Sequence, residues 1–305
     1  MSFLNFHGKD SVKFNGHDNP VVPVSMAQYV MHYLYGVNEP ALVKQASKIL
    51  DGIETAATAE EMEKKIGAFT MMSAHPAMKS MPHGLALSQN AAKNVMDFAY
   101  YVEGAKGARI AVGPCICQLG TQKYPTGITE PEIKDITLFY GADIYLDLGM
   151  EFEEITADEA KDILDEMHSR GYVHQALYMF DAGAGLFVMC NCDGNVCSGV
   201  KGVRLTGTGI GKGPEICKQD PGKCLGIEKC GKCLERCPFG VNKADGDTVI
   251  FDQSKCMGCE LCVTTCQGGA RELEIREDYE FEHIMSKTLL LAGKYGYERM
   301  VPYER

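Results

Sequence analysis

The chain has 305 residues, of which 45% are hydrophobic, and a formal net charge of −11. This length accommodates about two domains besides a small module. No stretch approaches about 18 consecutive apolar residues, so no transmembrane helix and no direct membrane insertion are expected. The acidic balance argues against a nucleic-acid partner, because nucleic-acid binding needs a concentrated basic surface.

The N-terminal part, residues 1–108, is predicted to be mainly helical. Apolar residues at helical spacing predict a helix over residues 40–50 that ends at residues 51–52. Thr58 and Glu61 form a capping-box pattern and predict a second helix that follows directly. The overall fold class expected for the chain is α+β.

An α/β domain is predicted for residues 109–203. Residues 109–113 are apolar and predict a strand. Capping-box patterns at Thr129 with Glu132 and at Thr156 with Glu159 predict two helices, the first running to about residue 148.

Two apolar runs then flank residues 181–185, which read Asp-Ala-Gly-Ala-Gly, and predict a β-hairpin. Two helices followed by a hairpin resemble a winged-helix arrangement. The glycine-rich segment 204–216 matches neither the phosphate-binding motif GxxxxGK[ST] nor a strand–GxGxxG–helix unit, so it is predicted to be an interdomain linker. Residues 276–305 are expected to form a C-terminal extension.

Between these segments, residues 217–275 hold a dense set of cysteines. The downstream group has the spacing C-x2-C-x2-C-x3-C, and the upstream group ends in C-x2-C-x3-C-P, which repeats it. The eight cysteines are Cys224, Cys230, Cys233, Cys237, Cys256, Cys259, Cys262 and Cys266. This pattern resembles the bacterial two-cluster ferredoxins, whose fourth cysteine ligates the other cluster.

The resemblance implies a ferredoxin-like dicluster module that binds two [4Fe-4S] clusters. It assigns the ligands of cluster I as Cys224, Cys230, Cys233 and Cys266. It assigns the ligands of cluster II as Cys237, Cys256, Cys259 and Cys262. Residues 247–252 are predicted to form a short strand between the two halves.

Two positions depart from the family pattern. Five residues separate Cys224 from Cys230, where the family has two, and Gln267 stands where a proline usually follows the last cysteine. If Cys224 is not a ligand, Cys217 is the substitute, or cluster I is a three-iron species. Disulfides and zinc are the other uses of such cysteines. The absence of a signal-peptide pattern at the N-terminus favours metal over disulfides, and zinc ribbons do not normally show C-x2-C-x2-C-x3-C.

A third metal site is predicted upstream of the module. Its candidate ligands form C-x-C and C-x-C-x4-C patterns and are Cys115, Cys117, Cys190, Cys192 and Cys197. Together with residues 173–175 (Val-His-Gln), they resemble a group of iron–sulfur proteins from anaerobes in which such cysteines precede a two-cluster ferredoxin domain. Five thiols exceed the four that a tetrahedral metal or a cubane needs, and an iron–sulfur cluster is favoured over zinc.

Two other interpretations of these five cysteines remain open. Free cysteines are often simply buried in the core. A reactive thiol is a minor alternative, because the sequence shows no helix start and no cationic neighbour beside one of them.

The leading functional hypothesis is an electron-transfer protein, most simply a subunit that relays single electrons within an oxidoreductase complex. The alternatives are a self-contained iron–sulfur oxidoreductase and a cluster-based redox sensor or regulator. The cluster I loop is locally basic through Lys218, Lys223, Lys229, Lys232 and Arg236. It is either a solvated surface or a docking face for an acidic redox partner. The expected compartment is the cytoplasm of an anaerobic or microaerobic organism.

Overall fold

The computed structural model describes residues 26–73, 83–106, 109–138, 140–147, 149–178 and 188–277, together with three short strands nearer the N-terminus. The helices are α1 (Met26–Glu54), α2 (Ala59–Ser73), α3 (Gln89–Lys106), α4 (Ile116–Thr121), α5 (Tyr140–Asp147), α6 (Ala157–Ser169), α7 (Ser198–Thr206), α8 (Lys232–Arg236) and α9 (Leu261–Thr264). Within this part of the chain, no helix is both long enough and apolar enough to cross a membrane.

The strands of the described residues fall into four sheets. They are β1 (Asn5–Phe6), β2 (Val12–Phe14), β3 (His17–Asp18), β4 (His83–Leu87), β5 (Ile110–Pro114), β6 (Ile133–Leu138), β7 (Glu153–Ile155), β8 (Val173–Tyr178), β9 (Val188–Cys192), β10 (Ile210–Gly211), β11 (Glu215–Gln219), β12 (Asn242–Asp245), β13 (Thr248–Phe251) and β14 (Arg271–Ile275). The largest sheet has the order β10-β4-β8-β9-β6-β5-β7. Together with the helices, this mixed sheet confirms the α+β class.

The core lies between the large sheet and the helices α3 and α6. Buried apolar side chains from β5 and β6, among them Ile110, Ile136 and Leu138, belong to one hydrophobic cluster with Val95 and Met96 of α3. Each Å² of apolar surface that this cluster removes from water stabilises the fold by about 25 cal/mol. The sheet therefore holds the side chains at the ends of its strands in fixed positions.

Several local predictions are confirmed. Thr156 caps α6 through a complete capping box, in which its side chain accepts from the Glu159 backbone N–H and the Glu159 carboxylate accepts from the Thr156 backbone N–H. Thr58 accepts from the Glu61 backbone N–H at the start of α2 at 3.1 Å. Strands β5 and β13 lie where strands were predicted. β8 and β9 pair antiparallel as predicted, whereas the turn predicted at residues 181–185 lies outside the described residues.

The helix predicted after Thr129 is wrong. Residues 133–138 form the strand β6, and the helix α5 begins only at Tyr140. The Glu132 carboxylate does not cap a helix, because it accepts hydrogen bonds from the Gln118 side-chain amide and the Tyr172 hydroxyl. Since β6 carries β-branched residues and lies between β5 and β9, sheet pairing outweighs the capping pattern here.

The winged-helix prediction is also wrong. A strand, β7, separates α5 from α6, and the β8–β9 pair lies in the middle of the seven-stranded sheet, so it is not a projecting wing. The N-terminal helix is longer than predicted, because α1 runs from Met26 through Pro40 to Glu54.

The glycine-rich segment 204–216 is built into the fold and is not a free linker. It contains the end of α7 and strand β10, which pairs in parallel with β4. Gly213 lies so close to β4 that an added Cβ would stand 2.1 Å from the Ala86 carbonyl oxygen. Glycine at this position therefore allows a close approach of two backbones. Of the predicted extension 276–305, only residues 276–277 are described.

The cysteine-rich module packs against the large sheet domain through α3 and α6. The Glu260 carboxylate accepts from the backbone N–H of Gln89 at the first turn of α3, at 2.9 Å. His168, at the end of α6, contacts the Thr264 hydroxyl of α9 at 2.8 Å, and Arg236 donates to the His168 carbonyl oxygen at 2.8 Å. These contacts fix the module's position relative to the sheet.

Candidate metal centres

The module contains an internal structural repeat. In each half a 3-10 turn, Pro221–Lys223 or Gln253–Lys255, ends at a cysteine, Cys224 or Cys256. Each half then passes through one left-handed residue, Gly231 (φ 62°) or Glu260 (φ 68°), into a short helix that carries the third cysteine. The sequence departs from the family spacing at Cys224, yet this cysteine occupies the same local position as Cys256.

The four cysteines assigned to cluster I surround one small cavity. Its lining includes Cys224, Cys230, Cys233 and Cys266. The backbone N–H of Ala270 donates to the Cys266 sulfur at 3.2 Å. The structure thus brings together one cysteine from the downstream half and three from the upstream half.

The four cysteines assigned to cluster II are more deeply buried. Cys256, Cys259 and Cys262 are each less than 10% exposed, and Cys237 is half-buried. Burial raises the pKa of the Cys259 thiol well above its usual range, and the charges of Cys237 and Cys262 raise it further. These thiols therefore lie near one another, and their ionised forms require a compensating cation.

To replace Cys224 as a ligand, Cys217 would have to line the cavity of cluster I. It is not among the residues that line this cavity. It sits in β11, is 1% exposed, and its Sγ is 3.7 Å from the Sγ of Cys262. The Arg271 guanidinium is 3.8 Å from both sulfurs. The sequence reasoning missed Arg271, which places a buried positive charge beside a candidate cluster ligand.

The donor set fits an iron–sulfur cluster. All eight side chains are thiols, which as thiolates hold such clusters. Among the described residues, no three Cys, His, Asp or Glu side chains converge at the spacing of ligands to a single metal ion. The four cysteines assigned to cluster I are spread around a cavity, which suits a multi-atom cluster better than one ion. A bound [4Fe-4S] cluster supplies a carrier of single electrons.

The five upstream cysteines are brought together at one edge of the large sheet. β5 and β9 are both antiparallel to β6, so they run in the same direction and end at the same edge. Cys115 and Cys117 follow β5, Cys190 and Cys192 belong to β9, and Cys197 follows β9. Helix α1 covers this edge, where Gly120 of α4 lies directly against the backbone of Pro40.

The thiols of this group interact with one another. Contacts with Cys115 and Cys197 raise the pKa of Cys117 well above its usual range, and contacts with Cys190 and Cys197 do the same to Cys192. The pKa of Cys197 is lowered by the contacts with Cys117 and Cys192, and the backbone N–H groups of Val200 and Gly199 also lower it. Cys197 therefore lies between the two cysteine pairs.

Two features of this site correct the sequence analysis, which found no helix start and no cation beside these cysteines. Cys115 is the N-cap of α4, and Cys197 is the N-cap of α7. Lys134, fully buried on β6, interacts electrostatically with Cys115, lies 3.2 Å from the Glu132 carboxylate, and stands 4.0 Å from the centre of the Tyr172 ring. The sequence signal for Lys134 was a Lys-Asp pair between two isoleucines, residues 133–136.

A cavity of about 310 Å³ adjoins all five cysteines. α1 contributes an apolar wall, and β6 contributes Lys134 and Asp135. Glu39, 7% exposed, accepts from the Tyr145 hydroxyl at 2.8 Å, and burial raises the pKa of its carboxyl to about 8. Burial also raises the pKa of Asp135 to about 6.

Comparison with known proteins supports iron–sulfur binding in the module. Residues 249–272 match the family model of 4Fe-4S binding domains, which places such a domain near the C-terminal end of the described chain. This match contains Cys256, Cys259, Cys262 and Cys266. No solved structure matches the chain.

Several curated proteins are similar over part of their length. The chain is 34% identical over 96 residues to a selenate reductase subunit of Mesobacillus selenatarsenatis, covering 30% of this chain and 32% of that protein. It is 37% identical over 59 residues to a sulfite dehydrogenase subunit of Allochromatium vinosum, covering 19% and 24%. It is 41% identical over 49 residues to an isethionate sulfite-lyase activating enzyme of Desulfovibrio desulfuricans, covering 15% and 16%. The chain thus spans about a third or less of these relatives.

Proposed function

We propose that this chain is an electron-transfer protein whose residues 217–275 bind two [4Fe-4S] clusters with the ligands assigned above. It relays single electrons as a subunit of a larger oxidoreductase, in the cytoplasm of an anaerobic or microaerobic organism. The observation that carries the proposal is the cavity surrounded by Cys224, Cys230, Cys233 and Cys266. A crossed-over ligand set of this kind belongs to two-cluster ferredoxins.

The difference in burial between the two sets suits a relay. Cys224, Cys230 and Cys233 are partly exposed, whereas Cys259 and Cys262 are buried against the rest of the protein. Cluster I is therefore the point at which electrons enter from, or leave to, a protein partner. Cluster II faces the interior of the protein. Two of the similar proteins are named as subunits of oxidoreductases, which supports a partner subunit for this chain as well.

The surface beside cluster I is the proposed docking face. Lys223, Lys229 and Lys232 are exposed, but Lys223 lies 3.5 Å from Asp220 and Lys232 lies 3.7 Å from Glu235. Lys218 is partly buried and lies 3.3 Å from Glu274. The local positive charge is therefore modest. Electrostatic complementarity here would act on the rate of association with an acidic partner more than on affinity.

The test uses the full chain purified without oxygen. Cys233→Ser and Cys259→Ser should each lose about four irons relative to the wild type, and each should abolish a different paramagnetic signal after reduction with dithionite. Cys217→Ser is the matched control, because it changes a buried cysteine that the proposal leaves unligated, and it should keep both clusters. The reduced wild type should return single electrons to an oxidised viologen dye. Loss of iron in Cys217→Ser, or no loss in the other two variants, would overturn the assignment.

One observation favours a second function, a self-contained oxidoreductase. The cavity of about 310 Å³ beside the five upstream cysteines is as large as small-molecule sites are. Turnover of a small-molecule oxidant by the purified chain alone would favour this function over that of a relay subunit.

A further inference from the structure

We propose that four of the five upstream cysteines bind a third [4Fe-4S] cluster, which extends the electron path from cluster II to the edge of the large sheet. The inference goes beyond the two-cluster relay. It starts from topology, because β5 and β9 end at the same edge of the sheet, on either side of β6. Their terminal cysteines therefore face one volume although they are distant in sequence.

The arrangement of the thiols supports a cluster. Cys197 interacts with both Cys117 and Cys192 and with the backbone N–H groups of Gly199 and Val200 at the start of α7, and all three cysteines line the same cavity. N–H groups directed at a ligating sulfur are the usual way in which a protein stabilises a thiolate and tunes a cluster. Cys117, Cys192 and Cys197 are the three central ligands, and either Cys115 or Cys190 supplies the fourth.

The polar groups around the thiols also indicate a ligand. The Ser198 hydroxyl lines the cavity, is buried, has no hydrogen-bond partner among the described residues and is able to donate to a cluster sulfur. The Asp135 carboxylate lines the same cavity, but as a hydrogen-bond acceptor it gives no support to a sulfide cluster. Buried polar atoms without partners are unfavourable unless something absent from the polypeptide satisfies them. Lys134 brings a buried ammonium group to the same cavity, where it is paired with the Glu132 carboxylate at 3.2 Å.

The spacing of the donors favours a cluster over zinc. A structural zinc site is closed, with four ligands converging on one ion. In the described residues no three such side chains converge in this way, here or in the ferredoxin module. The five thiols instead border a cavity of about 310 Å³.

The proposed third centre adjoins cluster II. Cys192 and Cys197 belong to the same buried apolar cluster as Cys259, and Cys237 packs against it. Gly194, in the loop before Cys197, lies against Pro238, which follows Cys237, and a Cβ at Gly194 would stand 2.6 Å from the Pro238 side chain. An electron on cluster II therefore reaches the third centre through packed protein without crossing solvent.

The test is iron, acid-labile sulfide and zinc per chain, measured on the full chain purified without oxygen. The wild type should hold about twelve irons, and the double variant Cys192→Ser/Cys197→Ser should hold about eight, with the signals of clusters I and II retained. Cys217→Ser is the matched control, because it makes the same thiol-to-hydroxyl change at a buried cysteine that neither proposal assigns as a ligand, and it should keep about twelve. Among single variants, Cys117→Ser should lose the third cluster. Of Cys115→Ser and Cys190→Ser, only the variant that removes the fourth ligand should lose it.

If the double variant fails to fold, the iron content of the wild type decides the question by itself. About eight irons in the wild type, with or without one zinc, would overturn the third cluster and leave the two-cluster proposal intact. Fewer than about eight irons would count against the ferredoxin module itself. A double variant that retains about twelve irons would also overturn the inference.

Discussion

Arg271 should set the reduction potential of cluster II. Its guanidinium is 6% exposed, stands 3.8 Å from the sulfurs of Cys262 and Cys217, and lies 4.7 Å from the centre of the Phe251 ring. A [4Fe-4S] cluster with four thiolates gains a negative charge on reduction. A fixed positive charge nearby stabilises the reduced form more than the oxidised form, so it raises the potential.

The size of the effect follows from Coulomb's law. At an effective dielectric constant of about 20, one unit charge at about 4 Å contributes about 4 kcal/mol. The added electron is shared over the cluster, so a mean separation of about 7 Å is more realistic and gives about 2.4 kcal/mol. For a one-electron couple, about 59 mV corresponds to a factor of ten, or about 1.4 kcal/mol, so Arg271→Gln should lower the potential by about 100 mV.

The assay is a potentiometric titration followed by electron paramagnetic resonance, with iron content measured on each variant. Arg271→Lys is the control, because it keeps the charge and should stay near the wild-type potential. A decrease of less than about 30 mV in Arg271→Gln at full iron content would refute the electrostatic reasoning. An equal decrease in the lysine variant would do the same, since it would assign the effect to packing.

Three further predictions follow from local contacts. Thr156→Ala removes the capping box of α6 and should cost about 1 kcal/mol, lowering the melting temperature by about 2–4 °C, whereas an unchanged melting temperature would contradict it. The double variant Lys229→Glu/Lys232→Glu should lower the reduction potential of cluster I by a few tens of millivolts at low ionic strength and by less at about 0.5 M salt. A decrease that does not depend on salt would exclude an electrostatic cause. Burial lowers the pKa of His168 and of His174 to about 4, so these buried histidines favour the folded state above pH 6.5. As the pH falls toward about 4, that stability is lost, by up to about 3 kcal/mol per residue, because the unfolded chain binds the protons first. His168→Gln should therefore show a shallower decrease in melting temperature over this range, and an identical pH profile would refute the explanation.

The two capping-box patterns show why the helices were only partly predictable. After Thr156 the chain is amphipathic at helical period, so the capping pattern and the apolar spacing agree. After Thr129 the apolar residues 133, 136 and 138 could belong to a helix or to a buried strand, and only the neighbouring strands decide. Glu132 is used by a tertiary cluster with Gln118, Tyr172 and Arg170, which no local pattern reveals.

The glycine-rich segment shows the same limit for loops. Gly209 has φ 139°, and a Cβ there would stand 2.6 Å from the Gly199 carbonyl oxygen. Together with the close approach of Gly213 to β4, this places the glycines where two backbones touch. A run of glycines in the sequence indicates flexibility and close packing equally well. The strand partner β4 is more than a hundred residues away, so the choice between the two could not be made locally.

The ligands of the candidate metal centres were easier to predict where the cysteines are close together in the sequence. The eight cysteines of the module are close in sequence and follow a repeated motif, so the resemblance to two-cluster ferredoxins suggested the ligand sets. The upstream five come from the ends of two strands, and only the sheet order shows that these ends meet. The buried cations were invisible for the same reason, since Lys134 and Arg271 are ordinary basic residues in the sequence.

These two cations have a common physical consequence. Burying an anionic centre disfavours the more negative reduced state, because the protein solvates charge less well than water does. A cation held beside the sulfurs offsets that cost without opening the site to solvent. Arg271 stands beside a cysteine assigned to cluster II, and Lys134 lines the cavity of the proposed third centre. Arg271 also lines the cavity of the partly exposed cluster I cysteines, whereas the charges of the exposed side chains of Lys229 and Lys232 are screened by water. We therefore expect a neutral residue at position 271 to alter the potential of cluster II much more than neutral residues at positions 229 and 232 alter that of cluster I, and comparing the two titrations tests this order directly.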